Sequence, residues 1–145
     1  MEILTLGFTK RSARSFFDAL KAARVTRLVD VRLNNVSQLA GFTKRDDLAY
    51  FLKEICGVDY VHELMLAPTQ HLLDDYKKHR VPWSEYERSF LSLMAERRIE
   101  DRIPRALFDG RAVLLCSEPT ADHCHRRLVA EYLRDHWGDV EVTHL

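Results

Sequence analysis

The segment that most constrains the fold is a short apolar run, residues 112–115, which ends in Cys116. A continuous apolar run of this length is typical of a strand that is buried on both faces of a sheet. Such strands occur in parallel sheets that helices cover on both sides. We therefore predict a central strand over residues 111–116 and a sheet that lies between two layers of helices.

Other strand-like runs alternate along the chain with segments of helical periodicity. Strands are predicted over residues 3–7, 27–31, 59–64 and 140–144, and helices over residues 12–24, 84–99 and 121–136, with a further helix that begins at Thr43. Residues 65–81 are ambiguous: they combine a short helix with a basic end, residues 77–80, that we expect to be solvated. Because alternating strands and helices form βαβ units, we predict one α/β domain over residues 1–145, with three layers and a mostly parallel sheet flanked by helices.

Capping residues indicate where the helices begin and end. Thr43 with Asp46, and Ser84 with Glu87, have the spacing of capping boxes at helix N-termini. Gly138 is expected to end the last helix.

Charge and composition argue against several classes of protein. The 22 basic and 22 acidic residues cancel, which argues against a protein that coats nucleic acid through excess positive charge, although it allows a local basic patch. No apolar run reaches the roughly 20 residues that span a bilayer, and the N-terminus lacks the layout of a signal peptide, so we expect a cytoplasmic protein without membrane contact. Three cysteines do not make a disulfide framework and are interpreted as thiols. The sequence has no glycine-rich dinucleotide motif and no P-loop, and we predict no cofactor.

Reactive side chains are concentrated where the apolar strand meets the last helix. Cys116 ends the strand, and Glu118 lies in the turn that follows it. Cys124, His125 and Arg126 lie near the start of the helix. Because α/β proteins place ligand sites at the carboxyl ends of their strands, this junction is the candidate site.

The angular positions of these helical residues follow from where the helix begins. If the helix is capped at position 120, a spacing of about 100° per residue places His125 at the centre of the buried face. Its two sequence neighbours then lie at the edges of that face, and His123 and Arg127 point towards solvent. A buried imidazole needs a hydrogen-bond partner, which Asp30, Glu118 or a backbone carbonyl at a neighbouring strand end could provide.

A second strand also ends in charged residues. Asp30 and Arg32 flank one residue of the second strand, so their side chains share a face if the strand continues through them. They are interpreted either as an acid and a base in a crevice or as an ion pair that ties strand ends together. We expect Asp30 and Cys116 to lie at adjoining strand ends, beneath the start of the last helix.

The leading hypothesis is a pocket for a phosphate-bearing ligand, such as a nucleotide or a nucleic-acid end, that the protein hydrolyses or uses in group transfer. The residues with predicted catalytic roles are Asp30, Cys116, Glu118 and His125. The residues predicted to bind the ligand are Arg32, Asn34, Cys124 and Arg126. In this hypothesis the arginines and the helix N-terminus hold the phosphate, while a carboxylate or the histidine acts as general acid or base.

Two alternatives stay open. In the first, the protein is a non-catalytic binding or adaptor domain, and the polar cluster is structural. In the second, Cys116 and Cys124 carry thiol or metal chemistry. A buried cysteine is ordinarily a small apolar residue, but a nearby helix N-terminus and Arg126 would lower the pKa of the Cys116 thiol and make it nucleophilic.

Two familiar chemistries fit the spacing poorly. A phosphatase-type loop is disfavoured because the gap between Cys116 and Arg126 is longer than that loop allows. A zinc site is disfavoured because the spacing matches no paired-cysteine module. In addition, adjacent helical residues diverge by about 100° and rarely bind one ion together. We therefore predict no metal site.

Three short motifs resemble those of one known family. They are Thr5-Leu6-Gly7, residues 28–32, and residues 114–118 followed by Cys124-His125-Arg126. Over nearly its whole length the chain resembles the bacterial and archaeal family of unknown function numbered 488. The resemblance implies a compact α/β domain and a single cluster of the polar residues named above, but no activity. The chain departs from the family at Phe8-Thr9, where many members have histidine and serine, and at Asn34-Asn35, where many have prolines.

Overall fold

The five predicted strands form one sheet in which every strand is parallel to its neighbours. The computed structural model describes residues 1–36, 41–118 and 121–145. Its strands are β1 (Glu2–Gly7), β2 (Arg27–Asp30), β3 (Asp59–His62), β4 (Ala112–Cys116) and β5 (Glu141–His144). They lie in the order β3-β2-β4-β1-β5, with β4 at the centre. The central position of β4 and the parallel sheet confirm the prediction from the apolar run.

Helices connect the strands across both faces of the sheet. They are α1 (Ala13–Ala22), α2 (Arg45–Phe51), α3 (Gln70–Lys77), α4 (Trp83–Arg97), α5 (Ile99–Arg102) and α6 (His125–Trp137). A π-helical turn (Leu52–Cys56) continues α2, and 3₁₀ turns span Gly41–Thr43, Leu64–Leu66 and Arg105–Phe108. In the part of the chain that the structure describes, no helix has the length and apolar character needed to cross a membrane.

Side chains of β4 alternate between two separate hydrophobic cores. Ala112, Leu114 and Cys116 pack into a core that α4, α5 and α6 complete, and we call this side the α6 face. Val113 and Leu115 pack into a core that α1, α2 and the π-helical turn complete, and we call this side the α1 face. The two cores confirm a three-layer α/β domain.

Two helices begin at other residues than their capping boxes predict. Thr43 ends a 3₁₀ turn, and α2 begins after it at Arg45. Helix α4 begins at Trp83, because Pro82 has the extended backbone of an N-cap and leaves Ser84 inside the first turn. Neither helix has a side-chain capping hydrogen bond, so both capping predictions are wrong.

The last helix also begins later than predicted. Helix α6 starts at His125, with Cys124 as its N-cap in an extended conformation (φ −139°, ψ 137°). Residues 121–123 form a bend and a turn, and position 120, the predicted cap, lies outside the described residues. The helix ends at Trp137, immediately before Gly138, as predicted. The later start changes the direction of the Cys124 side chain, with consequences for the site.

Candidate functional site

The carboxyl ends of β2 and β4 lie side by side. Asp30 is in register with Leu115, and the Val31 backbone N–H donates to the Leu115 carbonyl at 3.1 Å. Residues 30 and 116 therefore lie at adjoining strand ends beside the start of α6, as predicted.

The side chains of Asp30 and Cys116 point to opposite faces of the sheet. On β2, Leu28 packs into the core of the α1 face, whereas Val29 and Val31 pack into the core of the α6 face. Because side chains alternate along a strand, Asp30 lies on the α1 face, while Cys116 lies on the α6 face. The expected single cluster is thus divided in two, and Asp30 is not the partner of His125.

On the α1 face, Asp30 belongs to an ion-pair cluster of Asp30, Arg32, Asn35 and Tyr60. Arg32 Nε donates to Oδ1 of Asp30 and Nη2 to Oδ2, each at 2.8 Å. The Arg32 backbone N–H also donates to Oδ1 at 3.1 Å, and the Tyr60 hydroxyl donates to Oδ2 at 2.6 Å. Asp30 is fully buried, and these four bonds satisfy both of its carboxylate oxygens.

The outer contacts of the ion-pair cluster hold it in place. Arg32 Nη2 donates to the Thr43 carbonyl at 2.7 Å, and Asn35 Nδ2 donates to the Tyr60 hydroxyl at 3.1 Å. Burial and the negative charge of Asp30 raise the pKa of Tyr60, so its hydroxyl stays protonated as a donor. Asp30 and Arg32 form the predicted ion pair, but both lie at the end of β2, and the hydrogen bond from Tyr60 of β3 makes the link between strands.

On the α6 face, Cys116, Cys124 and His125 form a thiol cluster. His125 Nε2 lies 2.7 Å from the Val31 carbonyl oxygen, and Nδ1 lies 3.5 Å from Cys116 Sγ. Because a carbonyl only accepts hydrogen bonds, Nε2 carries a proton, and Nδ1 faces the sulfur. The backbone carbonyl is one of the partners that the sequence predicted for His125.

Cys124 completes the thiol cluster because it precedes the helix. Its sulfur, that of Cys116 and a ring nitrogen of His125 all lie within 4.8 Å of one another. Neighbouring residues inside a helix point in directions about 100° apart and rarely bind one ion together. Cys124 has extended backbone and lies before the helix, so this restriction does not hold for Cys124 and His125. These three soft or borderline groups could hold a metal ion such as Zn²⁺.

Electrostatics in this cluster favour charge separation. Burial opposes ionisation of Cys116, but the Cys124 thiol, the positive charge of His125 and a hydrogen bond with the Glu118 backbone together hold the pKa of Cys116 well below its usual range. Burial and the neighbouring Cys116 sulfur raise the pKa of Cys124. The pKa of His125 is raised: burial opposes its protonation, but the charge of Cys116 outweighs that. These directions favour a Cys116 thiolate beside a His125 imidazolium, and they favour the thiol form of Cys124.

Arg126 is buried beneath the turn that follows β4. Its Nη1 donates to the Glu118 carbonyl at 2.7 Å, and its Nε has no hydrogen-bond partner within residues 1–36, 41–118 and 121–145. A Cβ atom at Gly7 would lie 1.6 Å from the same carbonyl oxygen and 3.0 Å from Nη1 of Arg126. Glycine is therefore required at position 7, where the turn crosses β1.

A cavity of about 330 Å³ opens beside the thiol cluster. It is lined by thiol-cluster residues, charged and polar side chains, aromatic rings and aliphatic residues: Phe8, Arg32, Leu33, Asn34, Pro68, Leu73, Tyr76, Lys77, Tyr86, Cys116, Ser117, Glu118, His123, Cys124 and His125. Its volume is at the lower end of the roughly 300–1,000 Å³ found for small-molecule sites. Six of the eight predicted site residues line this cavity, whereas Asp30 and Arg126 do not.

Several lining residues were not predicted from the sequence. Lys77 is exposed at a helix end, as predicted, and it also lines the cavity. His123 is exposed, as predicted, yet its ring stacks on Trp83 at 4.9 Å and also lines the cavity. Phe8 follows β1, so its position at the carboxyl end of a strand could have identified it. Tyr60 was also not predicted, although it belongs to the ion-pair cluster and not to the cavity lining. No local sequence pattern identifies it, because its contact with Asp30 depends on the pairing of β2 with β3.

Comparison with known proteins identifies the family but no characterised relative. No curated protein and no solved structure matches the chain. The family model described as "Domain of unknown function DUF488" matches residues 12–133, a range that contains all eight predicted site residues. The chain therefore belongs to the DUF488 family.

Proposed function

We propose that the protein is a thiol enzyme that hydrolyses, or transfers a group from, small phosphate-bearing molecules, with Cys116 as its nucleophile. One observation carries this proposal: Cys116 Sγ lies 3.5 Å from His125 Nδ1 at the wall of a cavity. A nucleophile and a base that a third group orients are the usual signature of covalent catalysis. Here the Val31 carbonyl is the orienting group.

The cluster supports a two-step reaction. The Cys116 thiolate forms a bond to the electrophilic atom of the substrate, and the bond to the leaving group breaks with its electron pair. The leaving group takes a proton from the His125 imidazolium at the cavity wall, which leaves a neutral imidazole for the second step. A water molecule then attacks the covalent intermediate, gives a proton to His125, and releases the thiolate. In group transfer, an acceptor hydroxyl or amine takes the place of water.

The charged residues of the cavity favour an anionic substrate. Lys77 and Arg32 both line the cavity, and α6 begins at its wall with the positive end of its dipole. Arg32 is neutralised by Asp30, whereas Lys77 has no acidic partner among the ion pairs of the described residues and can pair with a phosphate. Asn34 adds a neutral donor at the same wall.

Alkylation with iodoacetamide tests the nucleophile. Cys116 is expected to react at neutral pH, whereas burial raises the pKa of Cys56 and keeps that thiol slow. Peptide mapping of the modified protein assigns the reacting thiol. Cys56→Ser is the matched control and should leave the rate unchanged, while Cys116→Ser should abolish the fast reaction.

Turnover of two chromogenic probes tests the reaction. Hydrolysis of para-nitrophenyl phosphate indicates phosphoryl transfer, and hydrolysis of para-nitrophenyl acetate indicates acyl transfer. Either activity should be lost in Cys116→Ser and kept in Cys56→Ser. Adenosine monophosphate or inorganic phosphate should slow alkylation of Cys116, and Lys77→Met should weaken this protection.

Two results would contradict the proposal. The first is probe hydrolysis that persists in Cys116→Ser. The second is stoichiometric zinc in the purified protein by elemental analysis, which would make both cysteines metal ligands and leave no free nucleophile.

A further inference from the structure

Cys124 is a buried thiol that the proposed reaction does not consume. It is 2% exposed, lines the cavity and lies beside the proposed nucleophile. The Cys124 thiol can donate a hydrogen bond to the Cys116 sulfur, but a serine hydroxyl could do the same. Donation of that hydrogen bond therefore does not by itself require a second cysteine. Two neighbouring thiols can form a disulfide bond within the protein, which one thiol cannot.

The two sulfur atoms are close enough to be joined after a small movement. Cys116 Sγ and Cys124 Sγ are among three ligand atoms that all lie within 4.8 Å of one another, and a disulfide bond is about 2 Å long. Neither residue is held inside a helix, since Cys116 ends β4 and Cys124 is the N-cap of α6. The described residues between them form bends and turns, so the sulfurs can approach without breaking a helix or strand.

The two thiols also differ in the way that sequential oxidation requires. The Cys116 sulfur lies 3.5 Å from His125 Nδ1, which can accept the thiol proton, and thiolates are the form that attacks peroxides. Cys124 has no such imidazole contact in the described residues and lies at the same cavity wall. A sulfenic acid formed at Cys116 would therefore meet a protein thiol next to it.

We propose that Cys116 and Cys124 form a reversible disulfide that switches the nucleophile off under oxidation. The loss of activity in this inference rests on the proposed function, because the disulfide removes the thiolate that the proposed reaction needs. With the bond formed, the Cys116 sulfur beside His125 Nδ1 is no longer a thiol or thiolate.

The chemistry is balanced with a hydroperoxide as oxidant and a dithiol as reductant. The Cys116 thiolate attacks the terminal oxygen of the hydroperoxide, the O–O bond breaks, and an alcohol or water leaves after taking a proton. Cys124 then loses its proton and attacks the sulfenic sulfur, which expels water and forms the disulfide. A dithiol restores both thiols by exchange and is itself oxidised to a disulfide.

The test uses the full chain with Cys56→Ser, so that only the two thiols of interest remain. Treatment with hydrogen peroxide should lower the intact mass by two hydrogen atoms and reduce the titratable thiols from two to none. Peptide mapping should show residues 116 and 124 linked, and dithiothreitol should restore the mass and the alkylation rate. A second variant, Cys56→Ser with Cys124→Ser, should instead gain oxygen at Cys116 and progress to the sulfinic acid, which dithiothreitol does not reverse.

Other outcomes overturn the inference. Oxygen addition at Cys116 that proceeds equally with and without Cys124 would show that Cys124 does not resolve the sulfenic acid. Retention of both thiols at peroxide concentrations that oxidise free cysteine would show that the cluster does not react. Intact mass and peptide mapping can also be measured on the wild-type chain, so a poorly folded variant does not block the test.

The same measurements separate this inference from the proposed function. A disulfide that forms in a protein without hydrolytic activity would support the redox switch and contradict the enzyme. Probe hydrolysis that peroxide abolishes irreversibly would support the enzyme and contradict the switch.

Discussion

The ion-pair cluster and the thiol cluster lie at the same edge of the sheet and separate at adjacent strand ends onto opposite faces. In the first, Asp30 accepts four hydrogen bonds from protein groups and lies away from the cavity. In the second, the Cys116 sulfur lies at the cavity wall beside an imidazole that the backbone orients. Both clusters are buried and polar, so burial alone does not distinguish structure from chemistry. The difference lies in whether the polar atoms are fully satisfied within the protein or face a cavity.

The comparison predicts that damage to the ion-pair cluster lowers stability, whereas damage to the thiol cluster lowers reactivity.

Arg32→Met should have the largest effect, because it leaves the Asp30 carboxylate buried without its cation. Removal of one partner of a buried ion pair costs about 3–5 kcal/mol of unfolding free energy. Urea denaturation measures this loss. The matched control is Arg98→Met, which breaks the exposed pair with Asp101 and should cost less than about 1 kcal/mol. Equal losses in the two variants would remove the structural role that we assign to Arg32.

Tyr60→Phe should have the next largest effect, since it removes the 2.6 Å hydrogen bond to the Asp30 carboxylate. A hydrogen bond to a charged group contributes about 1.5–3 kcal/mol. Thermal and urea unfolding both report the change, and Tyr50→Phe at an exposed ring serves as the control. We expect the rate of Cys116 alkylation to stay unchanged. A fall in that rate would show that the two clusters are coupled.

Gly7→Ala should destabilise the turn that follows Cys116, because the new Cβ would meet the Glu118 carbonyl. Forcing extra atoms into a packed site costs about 1–3 kcal/mol. Since the Glu118 backbone also helps to stabilise the thiolate, the alkylation rate should fall together with stability. Gly41→Ala is the control, since a Cβ there meets nothing within 4 Å. Unfolding curves that match for both alanine variants would contradict the close approach.

His125→Asn should leave the smallest trace in free energy but a clear one in reactivity. Because the pKa of Cys116 is lowered, the thiolate persists to lower pH than in an ordinary cysteine, and reactivity is lost as the pH falls through that pKa. Without the imidazolium the pKa of Cys116 rises, and each unit of rise, about 1.4 kcal/mol, shifts the rate profile one pH unit upward. Alkylation rates across a pH series measure the shift. His123→Asn keeps the imidazolium and should keep the profile, and an unshifted profile in His125→Asn would contradict the ion pair.

Much of the fold follows from the sequence. Apolar runs and their alternation with amphipathic helices identify all five strands and the three layers, because both depend on local periodicity. The meeting of residues 30 and 116 at one edge follows from parallel pairing, which aligns carboxyl ends. Six of the fifteen residues that line the cavity were predicted as site residues.

The division of the polar residues into two clusters could not be predicted from the sequence. Asp30 and Cys116 point to opposite faces because of the register between β2 and β4, and no local pattern specifies that register. Threonine is a preferred N-cap and cysteine is not, so capping preferences placed the start of α6 too early and gave Cys124 the wrong direction. Tyr60 reaches Asp30 through strand pairing between distant parts of the chain.

The hydrogen bond between His125 and Val31 has an evolutionary consequence. Its acceptor belongs to the main chain, so no single replacement at position 31 can delete it. The tautomer of the His125 ring is thus set by the backbone position of Val31, which depends on strand pairing, and not by the side chain of one partner residue. Related sequences can therefore replace side chains around the imidazole and still keep the backbone acceptor that orients the ring.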